Sequence, residues 1–172
     1  MIKLYVGPMF SAKSHHLANH LTEDSVAFIP QLDTRSGNTI TSRTGLSIPA
    51  TSIRSDLEFS TNIFAKSNII IDEIQFLDSS VINFIIRFKD YKNWILGGLG
   101  YDYMQIPFEN TQRIMEVADT VVQLYARCEI CGHDAIHTCR RNGVGQDRIV
   151  IGSDQYYPLC NDCLEKYGNN SL

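Results

Sequence analysis

The most informative segment of the chain reads Gly7-Pro8-Met9-Phe10-Ser11-Ala12-Lys13-Ser14. It follows a short apolar run, Ile2–Val6, that favours a β-strand, and it precedes a stretch that favours a helix. A strand, a loop that opens with glycine, a Lys-Ser pair and a helix together indicate a phosphate-binding loop. Backbone N–H groups and the helix N-terminus would form a positive cradle for phosphate oxygens. Lys13 would reach the β- and γ-phosphates, and the Ser14 hydroxyl would bind Mg²⁺.

One residue departs from the usual pattern of such a loop. Ala12 stands where the pattern G-x-x-x-x-G-K-[ST] has its second glycine. Its methyl group lies where the backbone meets phosphate and restricts φ, so a left-handed Ala12 would weaken nucleotide binding. A right-handed Ala12 would be harmless. Taken alone, the segment also fits a strand–turn–helix junction that binds nothing.

The composition is that of an ordinary globular protein. The 172 residues suffice for one α/β domain with a sizeable core and a small appendage, and 44% of them are hydrophobic. A net charge of −4 and a pI near 5.7 argue against a protein that coats nucleic acid. We find no run of about 18 apolar residues and no signal-peptide pattern, and therefore expect no membrane partner and a cytoplasmic location.

Strand-like and helix-like segments alternate along residues 1–125. The predicted strands are Ile2–Val6, 26–29, Asn68–Ile71, 94–96 and 120–124. The predicted helices are 13–21, 57–65, 80–89 and 110–118, with Ser79 or Ser80 as the N-cap of the third. This alternation predicts an α/β fold, a mostly parallel sheet flanked by helices, whose ligands bind at the carboxyl ends of the strands. Residues 30–55 lack periodicity and predict a long loop or an irregular hairpin over the site.

A second phosphate-site element follows the predicted strand Asn68–Ile71. The run ends in Asp72 and Glu73, as in a Walker B strand. Because side chains on a strand alternate between faces, both carboxylates can serve one site only where the chain leaves the sheet. Asp72 would then hold Mg²⁺, and Glu73 would act as a base towards a hydroxyl or water. A solvated acidic strand end is the alternative.

Four of the five cysteines form two pairs. Cys128-x-x-Cys131 and Cys160-x-x-Cys163 are separated by 28 residues, 132–159. In a reducing compartment such pairs are metal ligands more often than disulfides, and four thiolates suit tetrahedral Zn²⁺. Four cysteines leave no open coordination position, so the zinc would be structural. Cys139 is expected to be a partly buried thiol.

Two other groups of residues carry weaker signals. Gly97-Gly98-Leu99-Gly100 follows a strand but opens no clear helix, so we reject a dinucleotide-binding fold. His16 and His20 have i,i+4 spacing on a predicted helix, which we interpret as a surface or core-edge face rather than a metal site.

Taken together, these motifs resemble those of the type II, zinc-bearing thymidine kinases over roughly residues 2–167. The phosphate loop is similar to that family's version apart from Ala12, and Asp33-Thr34-Arg35 is similar to its D-x-R segment. Asp72-Glu73-Ile74-Gln75-Phe76 resembles its D-E-x-Q-F motif. The longest match is the terminal signature Gly152-Ser153-Asp154-Gln155-Tyr156-Tyr157-Pro158-Leu159-Cys160-Asn161-Asp162-Cys163-Leu164.

The resemblance implies an ATP-dependent kinase that phosphorylates the 5′-hydroxyl of thymidine and also of deoxyuridine. Glu73 occupies the general-base position, and Lys13 and Arg35 would stabilise charge on the transferring group. Ser14 and Asp72 would hold Mg²⁺. The implied ATP-binding residues are Gly7, Pro8, Met9, Phe10, Ser11, Ala12, Lys13, Ser14, Asp33, Arg35, Asp72 and Gln75. The implied thymidine-binding residues are Met9, Asp33, Phe76, Leu99, Tyr103, Phe108, Thr138, Arg148, Ile149, Val150, Ile151, Gly152 and Tyr156.

The same resemblance implies an organisation and a set of partners. We expect a P-loop, RecA-like domain at 1–125, a zinc-bound lasso subdomain at 126–167 and a flexible tail at 168–172. Cys128, Cys131, Cys160 and Cys163 would hold the zinc, which clamps both ends of the lasso. A homotetramer inhibited by dTTP is also implied.

Two other functions remain open at this point. The chain could be a nucleotide-binding relative that has lost transfer activity through Ala12, although Lys13, Arg35, Asp72 and Glu73 argue against this. It could also be a P-loop ATPase with a zinc ribbon that acts on nucleic acid, although the acidic charge and the lack of a basic stripe count against that.

Overall fold

The computed structural model describes residues 1–33, 37–42, 45–141, 147–150 and 152–168. Three predictions fall outside the described residues: Arg35, Ile151 and the tail beyond Gly168. In chain order the strands are β1 (Ile2–Val6), β2 (Ser25–Pro30), β3 (Thr39–Thr41), β4 (Ser47–Pro49), β5 (Thr51–Ile53), β6 (Asn68–Ile71), β7 (Asn93–Gly98), β8 (Thr120–Gln123), β9 (Ala126–Arg127), β10 (Asp134–Ala135), β11 (His137–Arg140) and β12 (Tyr156–Leu159). The helices are α1 (Lys13–Ala18), α2 (Asp56–Ile63), α3 (Ser79–Arg87), α4 (Glu109–Val117) and α5 (Asn161–Tyr167).

One sheet of six parallel strands confirms the predicted fold class. Its order is β5-β2-β6-β7-β1-β8, and each neighbouring pair runs parallel. β5 was not predicted, because three residues of an edge strand carry too little alternation to stand out from the surrounding loop. β3 and β4 pair antiparallel, which confirms a hairpin within residues 30–55.

Helices and a hairpin cover the two faces of this sheet. Ile69 and Ile71 face a core with α2, α3 and α4, whereas Ile70 faces a second core with α1 and the β3–β4 hairpin. Burial on both faces explains why the central strands are continuous apolar runs. The predicted cap of α3 was wrong. Asp78, and neither serine, is the N-cap. Its side chain accepts a hydrogen bond from Ser80 N over 2.8 Å.

The residues after β8 form small antiparallel ladders with a core of their own. β9 pairs with β10, and β11 pairs with β12. Tyr157 and Leu159 are fully buried there with Cys139, which is more buried than predicted. No described helix is long and apolar enough to cross a membrane.

Candidate active site

The candidate site lies at the carboxyl ends of four neighbouring strands, β2, β6, β7 and β1. The chain leaves β1 into residues 7–14, β6 into Asp72 and Glu73, and β7 into residues 99–108. Strand direction alone therefore brings the phosphate loop and the two carboxylates to one edge of the sheet, as expected for a parallel α/β fold.

The phosphate loop is tightly closed on itself. Ser11 Oγ donates to Pro8 O over 2.8 Å, and Lys13 Nζ donates to Gly7 O and Pro8 O over 3.1 and 2.8 Å. A Cβ at Gly7 would lie 2.5 Å from Leu124 O and 2.7 Å from Ser11 Oγ, so glycine is required by close packing. These contacts hold a buried ammonium group beside the loop backbone.

Ala12 adopts the left-handed conformation that a glycine would adopt more readily. Its φ is 62° and its ψ is 26°, and Phe10, two residues earlier, has a φ of 71°. A left-handed residue with a Cβ costs about 1–2 kcal/mol relative to the right-handed form. The structure therefore supports the less favourable of the two expectations for Ala12.

The Ser14 hydroxyl donates to Asp72 Oδ2 over 2.6 Å, which joins the phosphate loop to the end of β6. The other Asp72 oxygen accepts a hydrogen bond from Glu73 N over 2.9 Å. Burial, and secondly the neighbouring Glu73 carboxylate, raise the pKa of Asp72 to about 6. The Ser14 hydroxyl and the Asp72 carboxylate are both oxygen donors, the ligand type that Mg²⁺ prefers in proteins.

Glu73 turns away from the strand and is oriented by a neighbouring amide. Its φ of 54° breaks the strand, and Asp72 and Glu73 both line the phosphate cavity described below. Gln75 Nε2 donates to Glu73 Oε2 over 2.5 Å, and Gln75 Oε1 accepts a hydrogen bond from Leu99 N over 3.0 Å. The Gln75 side chain thereby connects the Glu73 carboxylate to the backbone N–H of Leu99, directly after β7, and fixes the position of the carboxylate.

Two cavities meet at this edge of the sheet. The phosphate cavity has about 1190 Å³ of empty space, including its open mouth, and is lined by residues 9–15 with Asp72 and strand β3. The aromatic cavity has about 560 Å³ and is lined mainly by apolar and aromatic side chains. Met9, Asp33 and Glu73 line both cavities. The candidate base therefore stands on the boundary between them.

The aromatic cavity brings together the described residues that were predicted to bind a nucleoside. Its lining includes Met9, Asp33, Phe76, Leu99, Tyr103, Phe108, Thr138, Arg148, Ile149, Val150, Gly152 and Tyr156. Sequence reasoning did not assign Leu32 or Asp102 to this wall. Phe76 and Phe108 pack edge to face with ring centroids 5.9 Å apart. This aromatic pair gives the cavity an apolar wall against which a planar ring can pack.

Comparisons with known proteins show which family the chain belongs to. The family model described as thymidine kinase matches residues 1–164. The chain belongs to the thymidine kinase family. It is accordingly an ATP-dependent phosphotransferase.

Individual relatives of this thymidine kinase family member span its length. A thymidine kinase of Mesomycoplasma hyopneumoniae is 32% identical over 174 positions, covering 95% of this chain and 94% of that protein. Thymidine kinase a of Arabidopsis thaliana is 31% identical and covers 92% of this chain and 72% of its own length. A thymidine kinase of Pseudothermotoga lettingae is 26% identical, with 99% and 97% covered.

In this member of the family, Tyr156 and Arg140 hold the segment of residues 147–150. The Tyr156 hydroxyl donates to Val150 O over 2.9 Å and accepts from Val150 N over 3.2 Å. Arg140 donates to Asp147 O and to the Tyr156 hydroxyl, over 2.5 and 2.9 Å, and its guanidinium lies 3.7 Å from the centre of the Tyr103 ring. Arg140 was not predicted from the sequence, because the residues next to it form no motif that indicates a buried guanidinium.

The four paired cysteines form one cluster, as predicted. The Sγ atoms of Cys128, Cys131, Cys160 and Cys163 all lie within 4.8 Å of one another. Zinc–sulfur bonds of about 2.3 Å in a tetrahedron place sulfurs roughly 3.8 Å apart, so the cluster fits a zinc ion. The cluster joins the turn after β9 to the start of α5 and so closes residues 132–159 into a loop.

Gly97 is a further residue whose role only the structure reveals. A Cβ there would lie 2.8 Å from Leu17 Cδ1 and 3.0 Å from Asp72 Oδ1. The glycine lets α1 and the Asp72 carboxylate approach β7 closely. The Gly-rich run after the predicted strand therefore serves packing beside the site rather than a dinucleotide.

Proposed function

We propose that the chain transfers the γ-phosphoryl group of ATP to the 5′-hydroxyl of thymidine, and of deoxyuridine. The observation that carries this proposal is the position of Glu73 on the wall shared by the phosphate and aromatic cavities. A phosphate donor in one cavity and a flat nucleoside in the other would meet at this carboxylate. Met9 and Asp33, which also line both cavities, would flank the sugar and the transferring group.

On the donor side, residues 7–14 would bind the phosphates of ATP through backbone N–H groups. Lys13 would supply positive charge to the β- and γ-phosphates, and Arg35, which lies outside the described residues, would do the same. Gln75 would act here by holding Glu73 rather than by touching ATP, since its amide is used by Glu73 and Leu99.

Ser14 and Asp72 would hold the Mg²⁺ that accompanies ATP. Their oxygens face each other over 2.6 Å, and a buried carboxylate with a raised pKa is stabilised by a nearby cation. The ion would neutralise charge on the phosphates when bound.

On the acceptor side, the aromatic cavity would enclose thymine. Phe76, Phe108, Tyr103 and Tyr156 would contact the ring, and Thr138 would lie near its 5-methyl group. Residues 148–152 would cover the base through their backbone groups. Ile151 belongs to this stretch but lies outside the described residues.

The chemistry at Glu73 is a single proton transfer coupled to phosphoryl transfer. The 5′-oxygen forms a bond to the γ-phosphorus while the bond from that phosphorus to the bridging oxygen breaks, and ADP leaves with the electron pair. The hydroxyl proton passes to Glu73, which Gln75 keeps pointed at the boundary of the two cavities.

The test is an assay of purified protein with Mg-ATP and each natural deoxynucleoside. We expect thymidine monophosphate, and we expect Glu73→Gln to lower kcat by about 10²- to 10⁴-fold without loss of folding. Glu116→Gln on the exposed face of α4 is the matched control and should leave kcat unchanged. ATP binding without product would instead indicate an inactive relative, and ATP hydrolysis stimulated by DNA or RNA would indicate an ATPase.

Other features implied by the family resemblance remain part of this proposal. The four-cysteine cluster supports a structural zinc, and cysteines used in this way support a reducing, cytoplasmic location. The separate core after β8 supports a division into residues 1–125 and 126–167. We also propose a homotetramer and feedback inhibition by dTTP. Its base would bind in the aromatic cavity and its triphosphate in the phosphate cavity.

A further inference from the structure

Asp102 is a buried carboxylate that organises the loop after β7. Its side chain is 2% exposed. One oxygen, Oδ1, accepts hydrogen bonds from Met104 N and Ile106 N, each over 2.9 Å. The other, Oδ2, accepts a hydrogen bond from Arg148 Nε over 2.6 Å. A buried carboxylate is tolerated only when it is well paired, so this arrangement makes Asp102 a firm anchor for whatever binds it.

Arg148 grips the same loop at a second point and covers one wall of the aromatic cavity. Its Nη2 donates to Pro107 O over 3.2 Å, and its guanidinium lies 5.4 Å from the centre of the Phe108 ring. Phe108 in turn meets Phe76 edge to face inside the cavity. Two of the guanidinium nitrogens therefore bind protein groups, and the guanidinium lies against the aromatic wall.

The segment 147–150 is thus held from two sides. Arg140 and Tyr156 bind its backbone from the β11–β12 ladder, through Asp147 O, Arg148 O and both backbone groups of Val150. The Asp102–Arg148 pair ties the same segment to the loop that follows β7 of the main sheet. Ile149 and Val150, which line the cavity, lie directly after the tied residue.

We propose that Asp102 and Arg148 are a positioning pair that fixes segment 147–150 over the aromatic cavity and thereby sets the affinity for the nucleoside. Neither side chain touches the reacting atoms. Arg148 acts through Asp102, Pro107 and Phe108, and its role differs from the direct substrate contact expected of the lasso. The inference rests on the proposed function, because it takes the occupant of the aromatic cavity to be a nucleoside.

Steady-state kinetics separate this role from a general loss of structure. Arg148→Gln should raise the KM for thymidine roughly 3- to 10-fold, as expected for loss of one charge-assisted contact, with kcat and the KM for ATP within about twofold. Asp102→Asn keeps an oxygen for the two loop N–H groups and should produce the same split. The double variant should be no worse than Arg148→Gln alone, because the ion pair that Asp102→Asn weakens is already lost there.

Salt and a matched arginine provide the controls. Arg148 is 46% exposed, so raising the ionic strength from about 0.05 to about 0.5 M should raise the thymidine KM of the wild type and leave that of Arg148→Gln nearly unchanged. Arg127→Gln breaks an exposed pair with Asp134 on the β9–β10 ladder and should alter neither KM.

The possible results are distinguishable. An unchanged thymidine KM in Arg148→Gln, additive effects in the double variant, or an equal rise in both KM values would overturn the positioning role while leaving the kinase function standing. A wild-type protein that phosphorylates no deoxynucleoside would overturn the proposed function, and this inference with it.

Discussion

The backbone N–H of Met9 donates to Oγ1 of Thr138 over 2.9 Å, although 129 residues separate them in the chain. Met9 belongs to the phosphate loop and Thr138 to β11 in the ladders that carry the four-cysteine cluster. This bond is therefore a direct link between the phosphate cavity and the wall of the aromatic cavity that the cysteine cluster supports.

Replacing Thr138 by valine should weaken both halves of the site. The Met9 N–H would be left without its partner in a partly buried position, which costs about 1–3 kcal/mol. We expect the kcat/KM for thymidine to fall about 10-fold or more, and the KM for ATP to rise as the loop loosens. Thr138→Ser keeps the hydroxyl and should be the milder variant. Equal kinetics of the valine and serine variants would show that the hydrogen bond does not matter.

Replacing Ala12 by glycine should stabilise the protein and improve ATP binding. The residue has a φ of 62°, a conformation that costs a residue with Cβ about 1–2 kcal/mol and costs glycine nothing. Allowing for the greater freedom of glycine in the unfolded chain, we expect the free energy of unfolding to rise by about 1 kcal/mol.

Urea unfolding and the KM for ATP measure this effect. Ala18→Gly, in the helix that follows the loop, is the matched control and should lower the free energy of unfolding by about 1 kcal/mol or more. A destabilised Ala12→Gly variant, or one with unchanged ATP affinity, would show that the left-handed alanine is harmless.

Removing one cysteine of the cluster should release zinc and abolish thymidine binding. Structural zinc contributes on the order of 10 kcal/mol to folding of small metal-bound units, and three of the eight described buried residues in the core of the ladders after β8 are cysteines of the cluster. We expect Cys163→Ser to purify without zinc and to lose nucleoside phosphorylation while the main sheet remains folded.

Metal analysis by mass spectrometry, together with the far-ultraviolet circular dichroism of the variant, checks this prediction. Cys139→Ala removes a buried thiol that does not belong to the cluster and should retain one zinc per chain. Stoichiometric zinc in Cys163→Ser would contradict the assignment of that residue as a ligand.

His20 should make the protein less stable as the pH falls. Tyr5 Oη lies 2.7 Å from His20 Nε2, and burial, followed by the charges of Lys3 and His16, lowers the pKa of His20. The unfolded state therefore binds a proton more readily than the native state. The stabilisation is present above the unfolded pKa of about 6.5 and is lost as the pH falls through the lower native value.

Substitution of His20 by glutamine tests this sign. The amide can still accept a hydrogen bond from Tyr5 but does not titrate, so the variant should lose less stability than the wild type between about pH 7 and pH 5. Urea unfolding over this range measures the difference. His133→Gln changes an exposed histidine and serves as control. A steeper pH dependence in His20→Gln would reverse the assignment.

Much of the main sheet was predictable because its strands are buried on both faces. The continuous apolar runs at Ile2–Val6 and Asn68–Ile71 are typical of central parallel strands in an α/β protein. They can therefore be recognised without knowing which strands pair with them. β5 and the cap of α3 were not found. Three edge residues carry no pattern, and Asp78 was overlooked in favour of the serines beside it.

The candidate site divides in the same way. The phosphate loop and the Asp72-Glu73 pair are local motifs, so the sequence indicated both and placed them at neighbouring strand ends. Asp102 and Arg140 carry no local signature. Their importance comes from burial and from partners that lie 46 residues away for Asp102 and up to 37 residues away for Arg140, which are set by how loops pack. Gly97 likewise matters through the approach of Leu17 and Asp72 to its α-carbon.

The sequence by itself determined the features that each lie within a short segment: the phosphate loop, two carboxylates at a strand end and two pairs of thiols. Only the folded chain decided that Glu73 stands between two cavities, that Ala12 is left-handed, and that Asp102 holds Arg148. The reason is physical. A motif depends on neighbours along the chain, whereas the shape of a cavity and the pairing of a buried charge depend on side chains that folding brings together from distant positions.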